Sequence, residues 1–189
     1  MKAAMTWAAH PGTYERLARR FHAGVYSYLC WLCSDADLAQ DLTQATFVQV
    51  WRHPPEFRGE RALRAWVYRV ARNEYLQHQR RPSLETIALD ESTEASAVEP
   101  PRFDPQLRLE RQELVRAVRG ALGRLPDTYR EVIVLHNLEG FSLEQVASVL
   151  GIPKGTVKSR RAKGFALLRG LLAEEVICDE MQPSATDAS

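Results

Sequence analysis

The chain reads as an all-α protein made of two small helical domains joined by an acidic, proline-rich linker, the second carrying a helix-turn-helix. Three observations lead there. Apolar residues recur at three- and four-residue spacing through residues 12–81 and again from Gln106 to about Leu172. Between these stretches Pro82, Pro100, Pro101 and Pro105 sit among small polar and acidic residues, a composition suited to an extended connector. No stretch alternates apolar and polar residues with the period of two that a half-buried strand requires. The expected organisation is a first domain over 11–81, a flexible acidic linker over 82–105, a second domain over 106–172 and a disordered acidic tail over 173–189.

In the first domain, Tyr14, Leu17, Ala18, Phe21, Val25, Tyr28 and Leu29 form one helical stripe. Leu38, Leu42, Ala45, Phe47, Val50 and Trp51 suggest a second helix, with Ser34 or Asp35 placed to cap it. The run His53–Gly59 (HPPEFRG) ends that helix, because proline cannot continue the hydrogen-bond ladder. A third helix runs from about Arg61 to Arg80. In the second domain Leu107, Leu114, Val118, Ala121, Leu122 and Leu125 form a stripe. Tyr129, Val132, Ile133 and Leu135 continue it after the break at LPDT.

The 189 residues are 45% hydrophobic and 26% charged, enough apolar surface for a packed core. The formal net charge of +1 conceals a sorted distribution. Residues 1–81 hold twelve basic and seven acidic groups, whereas residues 82–110 hold two basic and seven acidic ones. Ile152–Gly170 holds six basic groups and no acid. The charge is sorted by segment, which matters more than its sum. The start of the chain lacks the apolar run of a secretory signal, and eighteen apolar residues never run together. A cytoplasmic chain with no membrane insertion is expected.

Phe141–Gly164 (FSLEQVASVLGIPKGTVKSRRAKG) has helix-turn-helix spacing. Ser142 and Gln145 are placed for a capping box. Leu143, Val146, Ala147 and Leu150 give the buried face, and Gly151 supplies the left-handed residue at the turn. Ile152 plugs the core, Pro153 sits where a helix starts, and Val157 turns inward. The second helix then presents Lys154, Thr156, Lys158, Ser159, Arg160 and Lys163, a set suited to phosphates and base edges in a major groove.

The third helix of the first domain sorts differently. At about 100° per residue, Leu63, Trp66, Val67 and Val70 fall on one side and Arg61, Arg64, Arg69 and Arg72 on roughly the opposite arc, with Asn73 at the boundary. Cations beside aromatics suit single-stranded nucleic acid, whose phosphates need charge and whose bases stack. Trp66 reads as core, while Tyr68 and Tyr75 fit either core or stacking.

Asp41–Trp51 (DLTQATFVQVW), Phe57–Arg81 (FRGERALRAWVYRVARNEYLQHQRR) and Leu122–Gly164, in that order around an acidic linker, resemble the extracytoplasmic-function sigma factors of bacterial RNA polymerase. The resemblance spans nearly the whole chain. It implies an alternative sigma factor that binds core RNA polymerase and directs promoter-specific initiation, with no catalysis of its own. It places Asp41, Gln44, Phe47 and Trp51 on a polymerase-docking helix. It assigns the melting and capture of the single-stranded −10 element to Phe57, Arg58, Gly59, Arg61, Leu63, Arg69, Arg72 and Asn73. Flipping a base out of the stack costs a few kcal/mol, which a shaped pocket must return. The helix-turn-helix corresponds to the reader of the duplex −35 element, and the acidic linker to a segment that threads the RNA-exit path. An anti-sigma factor is a further expected partner.

The chain departs from the family pattern at three places. Gln40 and Ala45 stand where the docking helix usually carries acids. Arg161 stands at a usually apolar position, where its stem can snorkel beside Phe165. Pro153 replaces the usual small polar cap.

Cys30 and Cys33 (CWLC) lie inside a helical stripe and read as core, with a thiol switch as the alternative. Neither a metal site nor a cofactor is expected: a zinc site needs four ligands, and only His10 and His22 lie near. No phosphate-binding glycine loop, paired-carboxylate motif or esterase context is present in the sequence, so an enzyme is not expected. Two competing functions differ in what they require. A stand-alone helix-turn-helix regulator binds dyad half-sites without polymerase, and a thiol-based redox sensor or enzyme loses its response when both cysteines become serine.

Overall fold

A computed structural model describes residues 12–33, 35–53, 59–80 and 105–180 of the chain. Every regular element among them is helical: α1 (Thr13–Cys33), α2 (Ala36–Arg52), α3 (Glu60–Arg80), α4 (Pro105–Arg124), α5 (Asp127–Ile133), α6 (Leu143–Leu150) and α7 (Lys154–Glu180). Asp35 caps α2, its carboxylate accepting from the backbone N–H groups of Asp37 and Leu38 at 2.9 and 3.0 Å. The break at LPDT separates α4 from α5, and α5 runs directly into a π-helical turn, Val134–Leu138. That turn is closed by Glu139 N–H donating to the Val134 carbonyl at 2.9 Å.

Helices α1, α2 and α3 pack on one another, and α4, α5 and α6 pack on α7. The two groups are not separate beads. One apolar cluster runs through both, from Leu17, Phe21, Val25 and Tyr28 on α1 and Tyr68 on α3 to Val132, Leu135, Phe141 and Val146. Helix α3 is therefore covered twice, by α1 and α2 on one side and by α6 on another. This explains why its buried residues are Ala65, Val67, Tyr68, Ala71 and Tyr75, while Leu63, Trp66 and Val70 are only half-buried. Tyr68 donates to Glu139 at 2.7 Å and Tyr75 to the Leu32 carbonyl at 3.3 Å, so both tyrosines are core rather than stacking platforms. Gly24 makes room for the first of them: a Cβ there would collide with the Tyr68 hydroxyl.

Arg130 ties the two groups together from beneath. Its guanidinium donates to the carbonyls of Leu122, Gly123 and Leu125 at 2.6–2.8 Å and to that of Leu32 at 2.8 Å. One side chain thus satisfies orphan carbonyls at the C-terminal ends of both α4 and α1. A smaller apolar cluster of Ala121, Leu122, Leu125, Ile133 and Leu168 holds α4 and α5 to α7.

Two expectations need correction. Leu114, counted in the buried stripe, is exposed, because it lies two turns before Ala121 and Leu122, where α4 enters its apolar cluster. The acidic tail expected from residue 173 is helical as far as Glu180, since no proline or glycine interrupts Leu171–Gln182. The linker 82–105, apart from Pro105, and residues 181–189 lie outside the described residues.

Candidate polymerase and nucleic-acid surfaces

On α2, Asp41, Gln44, Val48 and Trp51 follow one another at three, four and three residues, and all are exposed. Trp51 is 65% exposed and lies T-shaped to the Tyr14 ring, with centroids 4.8 Å apart. Phe47 does not share this surface. It is 6% exposed, stacks on His22 at 5.7 Å, and its carbonyl accepts from the Tyr14 hydroxyl at 3.0 Å. Phe47 is thus a core residue that positions α2. Val48, which sequence reasoning missed, takes its place on the stripe. The signal was present in the spacing, since 41, 44, 48 and 51 share a helix face. Thr43 and Thr46 are buried with their hydroxyls satisfied, donating to the carbonyls of Ala39 and Leu42 at 2.6 and 2.7 Å.

The expected −10 residues fall into four sets, and Arg64, from the same arginine arc, joins the third. Phe57 and Arg58 lie outside the described residues. Gly59, with φ +111°, starts α3 and stands exposed together with Arg61 and, three turns on, Asn73. Arg64, Arg69 and Arg72 point at the second group of helices. Arg72 makes a two-pronged ion pair with Glu131, Nε and Nη2 donating at 2.8 and 3.1 Å. Arg64 donates to the Glu139 carbonyl, lies 4.0 Å from the Glu139 carboxylate and stands over the Phe141 ring at 4.0 Å. Arg69 donates to the carbonyl and hydroxyl of Ser148. Leu63 is half-buried and packs on the core.

Glu131 is 3% exposed. Burial raises its carboxyl above the ordinary range, and the Arg72 hydrogen bonds oppose that shift. Arg160 on α7 is also near enough to favour its charged form. Burial likewise raises the Glu139 carboxyl. These two acids escaped sequence reasoning. An acid entering the apolar run Val132–Leu135 signals a buried charge that needs a cation, yet it does not name the cation.

The helix-turn-helix forms as its local chemistry dictates. Ser142 and Gln145 bond reciprocally at 2.9 and 3.3 Å, and Gly151 adopts φ +67°. Val157 is fully buried. Lys154, Lys158, Ser159 and Lys163 are exposed, while Thr156 and Arg160 are half-buried. Lys154 pairs with Glu144, which holds that carboxyl down to about 2. The half-buried Arg161 places its guanidinium over the Phe165 ring, 5.5 Å from the centroid.

Cys33 donates to the Leu29 carbonyl at 2.8 Å, and burial pushes its thiol up to about 11. Burial also raises the Cys30 thiol. Neither has the thiolate character of a reactive cysteine. Among the described residues no group of three or more His, Cys, Asp or Glu could hold a metal ion, and no helix is long and apolar enough to cross a membrane.

Comparison with known proteins bears on the family and the fold. Residues 17–84 match the family model for Sigma-70 region 2, and residues 115–168 that for Sigma-70, region 4. The chain is 33% identical over 164 residues to the RNA polymerase sigma factor CarQ of Myxococcus xanthus, covering 85% of this chain and 90% of that one. It is 33% identical over 177 residues to the ECF RNA polymerase sigma-E factor of Haemophilus influenzae, covering 90% and 88%. Among solved structures, CnrH in complex with the cytosolic domain of CnrY matches with a TM-score of 0.64 at 25% identity, over 88% of this chain and 92% of that one. The sigma factor RpoE bound to the anti-sigma factor NepR from Bartonella quintana shares the fold, with a TM-score of 0.65 at 24% identity over 86% and 98%. These relatives and the two family matches lead to one conclusion: the chain belongs to the extracytoplasmic-function sigma factors of RNA polymerase.

Proposed function

We propose that this sigma factor engages core polymerase through the α2 stripe Asp41, Gln44, Val48 and Trp51, opens and holds the −10 element on α3, and reads the −35 duplex with α7. The exposed Trp51 beside Val48 carries the docking assignment, because a lone 65%-exposed indole next to a second apolar side chain is the form of an interface anchor. Gly59, Arg61 and Asn73 begin the single-strand surface, and Arg64, Arg69 and Arg72 complete it once released. Lys154, Lys158 and Lys163 serve as point charges for phosphate. The planar fork of Arg160 suits a guanine edge, with Thr156 and Ser159 alongside.

The protein acts as a cytoplasmic initiation factor rather than an enzyme, and needs no cofactor or metal. The relatives CnrH and RpoE were solved with the cytosolic domain of CnrY and with the anti-sigma factor NepR; we infer a comparable protein partner here. Run-off transcription with purified core polymerase on a library of genomic fragments tests the function. Discrete start sites that require the added chain are expected. Tight binding of the chain alone to a palindromic duplex, with no transcripts when core is present, would identify a stand-alone regulator instead.

A further inference from the structure

The cations of this chain are divided by type. Of its 25 lysines and arginines only four are lysine: Lys2, Lys154, Lys158 and Lys163. Three of the four stand on α7, and all three are exposed. The cations that cross between distant helices, Arg64, Arg69, Arg72 and Arg130, are guanidinium groups. Phosphate binding does not by itself call for this division, because a guanidinium grips phosphate at least as well as an ammonium does. What separates the two is nucleophilicity. A fraction of any exposed lysine is the free amine, which accepts an acyl group, whereas a guanidinium stays protonated. The surroundings favour an anionic acyl donor. Ile152–Gly170 carries six basic groups and no acid, and a surface of one sign concentrates counter-ions. Among the described residues Lys158 and Lys163 have no ion-pair partner, while Lys154 is held by Glu144. We propose that α7 is an acylation site: acyl phosphates transfer their acyl group to Lys158 and Lys163, and more slowly to Lys154, so switching off the −35 grip without touching a cation that holds the fold.

In the transfer, the unprotonated Nζ attacks the acyl carbonyl carbon. An amide N–C bond forms, the bond from that carbon to the phosphate oxygen breaks, and inorganic phosphate leaves with the bonding pair. The surplus proton on nitrogen passes to water, and nothing is oxidised or reduced. The product is a neutral amide, which removes one charge and one ion-pair donor. Each lysine lost from a phosphate contact lowers the log-log salt slope of duplex binding by about 0.9. Helix α2 holds no lysine, so its docking stripe is spared. A chain modified in this way still occupies polymerase and fails at promoters.

The inference rests on the reading of the −35 duplex by α7, and the test keeps the two apart. Full-length protein is incubated with acetyl phosphate beside Nα-acetyl-lysine amide as an internal reference, and occupancy at each lysine is followed by peptide mass spectrometry. Lys158 and Lys163 should react about threefold faster than the reference or more. This excess should vanish at about 1 M KCl, where the screening length is about 3 Å. Lys154 should lag by about 1.5- to fivefold, the effect of an exposed ion pair, and Glu144→Ala should bring it level with Lys158. The modified protein, freed of reagent, is then given untreated core polymerase. Transcripts should fall by about tenfold or more, with titration onto immobilised core unchanged. Lys2→Arg, which leaves the three α7 lysines as the chain's only ones, should lose transcripts on treatment as wild type does. Lys158 and Lys163 no faster than the reference, a Lys154 rate unmoved by Glu144→Ala, a Lys2→Arg protein that resists treatment, or a helical spectrum lost on modification would each overturn the proposal. If untreated chain with core gives transcripts and modification of Lys158 and Lys163 leaves them unchanged, only this inference falls. If untreated chain with core gives no transcripts, the assignment of function falls.

Discussion

Replacing Trp51 and Phe47 separately by alanine should divide polymerase docking from folding, although the two residues sit one turn apart on α2. A buried tryptophan covers about 150–250 Å², so a 65%-exposed indole leaves roughly 100–160 Å² for a partner. At about 25 cal/mol per Å² that surface is worth roughly 2.5–4 kcal/mol when covered. Trp51→Ala should therefore weaken core polymerase binding by about fiftyfold to several hundredfold, at 1.4 kcal/mol per tenfold. Its cost to folding comes from the T-shaped contact with Tyr14, about 0.5–1.5 kcal/mol. Phe47 is 6% exposed within the core, and truncating a buried Phe costs about 3–5 kcal/mol. For a chain of this size each kcal/mol lowers Tm by roughly 2–4 °C, so Phe47→Ala should melt about 6–20 °C below wild type. Thermal melts by circular dichroism, paired with titration onto immobilised core polymerase, measure both quantities. A folded Trp51→Ala that binds core like wild type, or a Phe47→Ala that melts with wild type, would refute the division of α2 into docking and core residues.

Other consequences follow from the same geometry. A Cβ at Gly164 would lie 2.9 Å from Ile133 Cδ1 and 3.2 Å from Tyr129 Cβ, so Gly164→Val should cost at least about 2 kcal/mol in urea unfolding, through overpacking. Gly155 has open space around it, and Gly155→Ala should stabilise by about 0.5–1 kcal/mol. In selection of a randomised −35 library with polymerase holoenzyme, Arg160→Ala should relax preference at one or two positions by about 1–3 kcal/mol. Lys158→Ala should weaken all sequences alike and reduce the salt slope by about 0.9. With its thiol at about 11, Cys33 is roughly one part in a thousand thiolate at pH 8. Peptide-resolved iodoacetamide labelling should therefore be slow at pH 8 and rise about tenfold per pH unit up to pH 10; rapid labelling at pH 8 would revive a redox role.

The helix-turn-helix was legible in the sequence because its determinants are local. A capping box closes within four residues, and a left-handed glycine ends α6 whatever surrounds it. The all-helical class was legible for a similar reason, since a 3.6-residue period in apolar positions records a buried face directly. What periodicity cannot record is which neighbour covers a face. It grouped Phe47 with Trp51, and only the course of α1 decides that His22 stacks on one ring while Tyr14 lies T-shaped to the other. It set the α3 arginines opposite one buried side, and only the tertiary structure brings a second covering layer over them. Glu131 announced a buried charge by standing beside an apolar run, but its cation, Arg72, lies 59 residues away. Hydrophobic burial is a property of each residue and leaves a pattern along the chain. An ion pair is a property of two distant residues, and it exists only once the fold has brought them together.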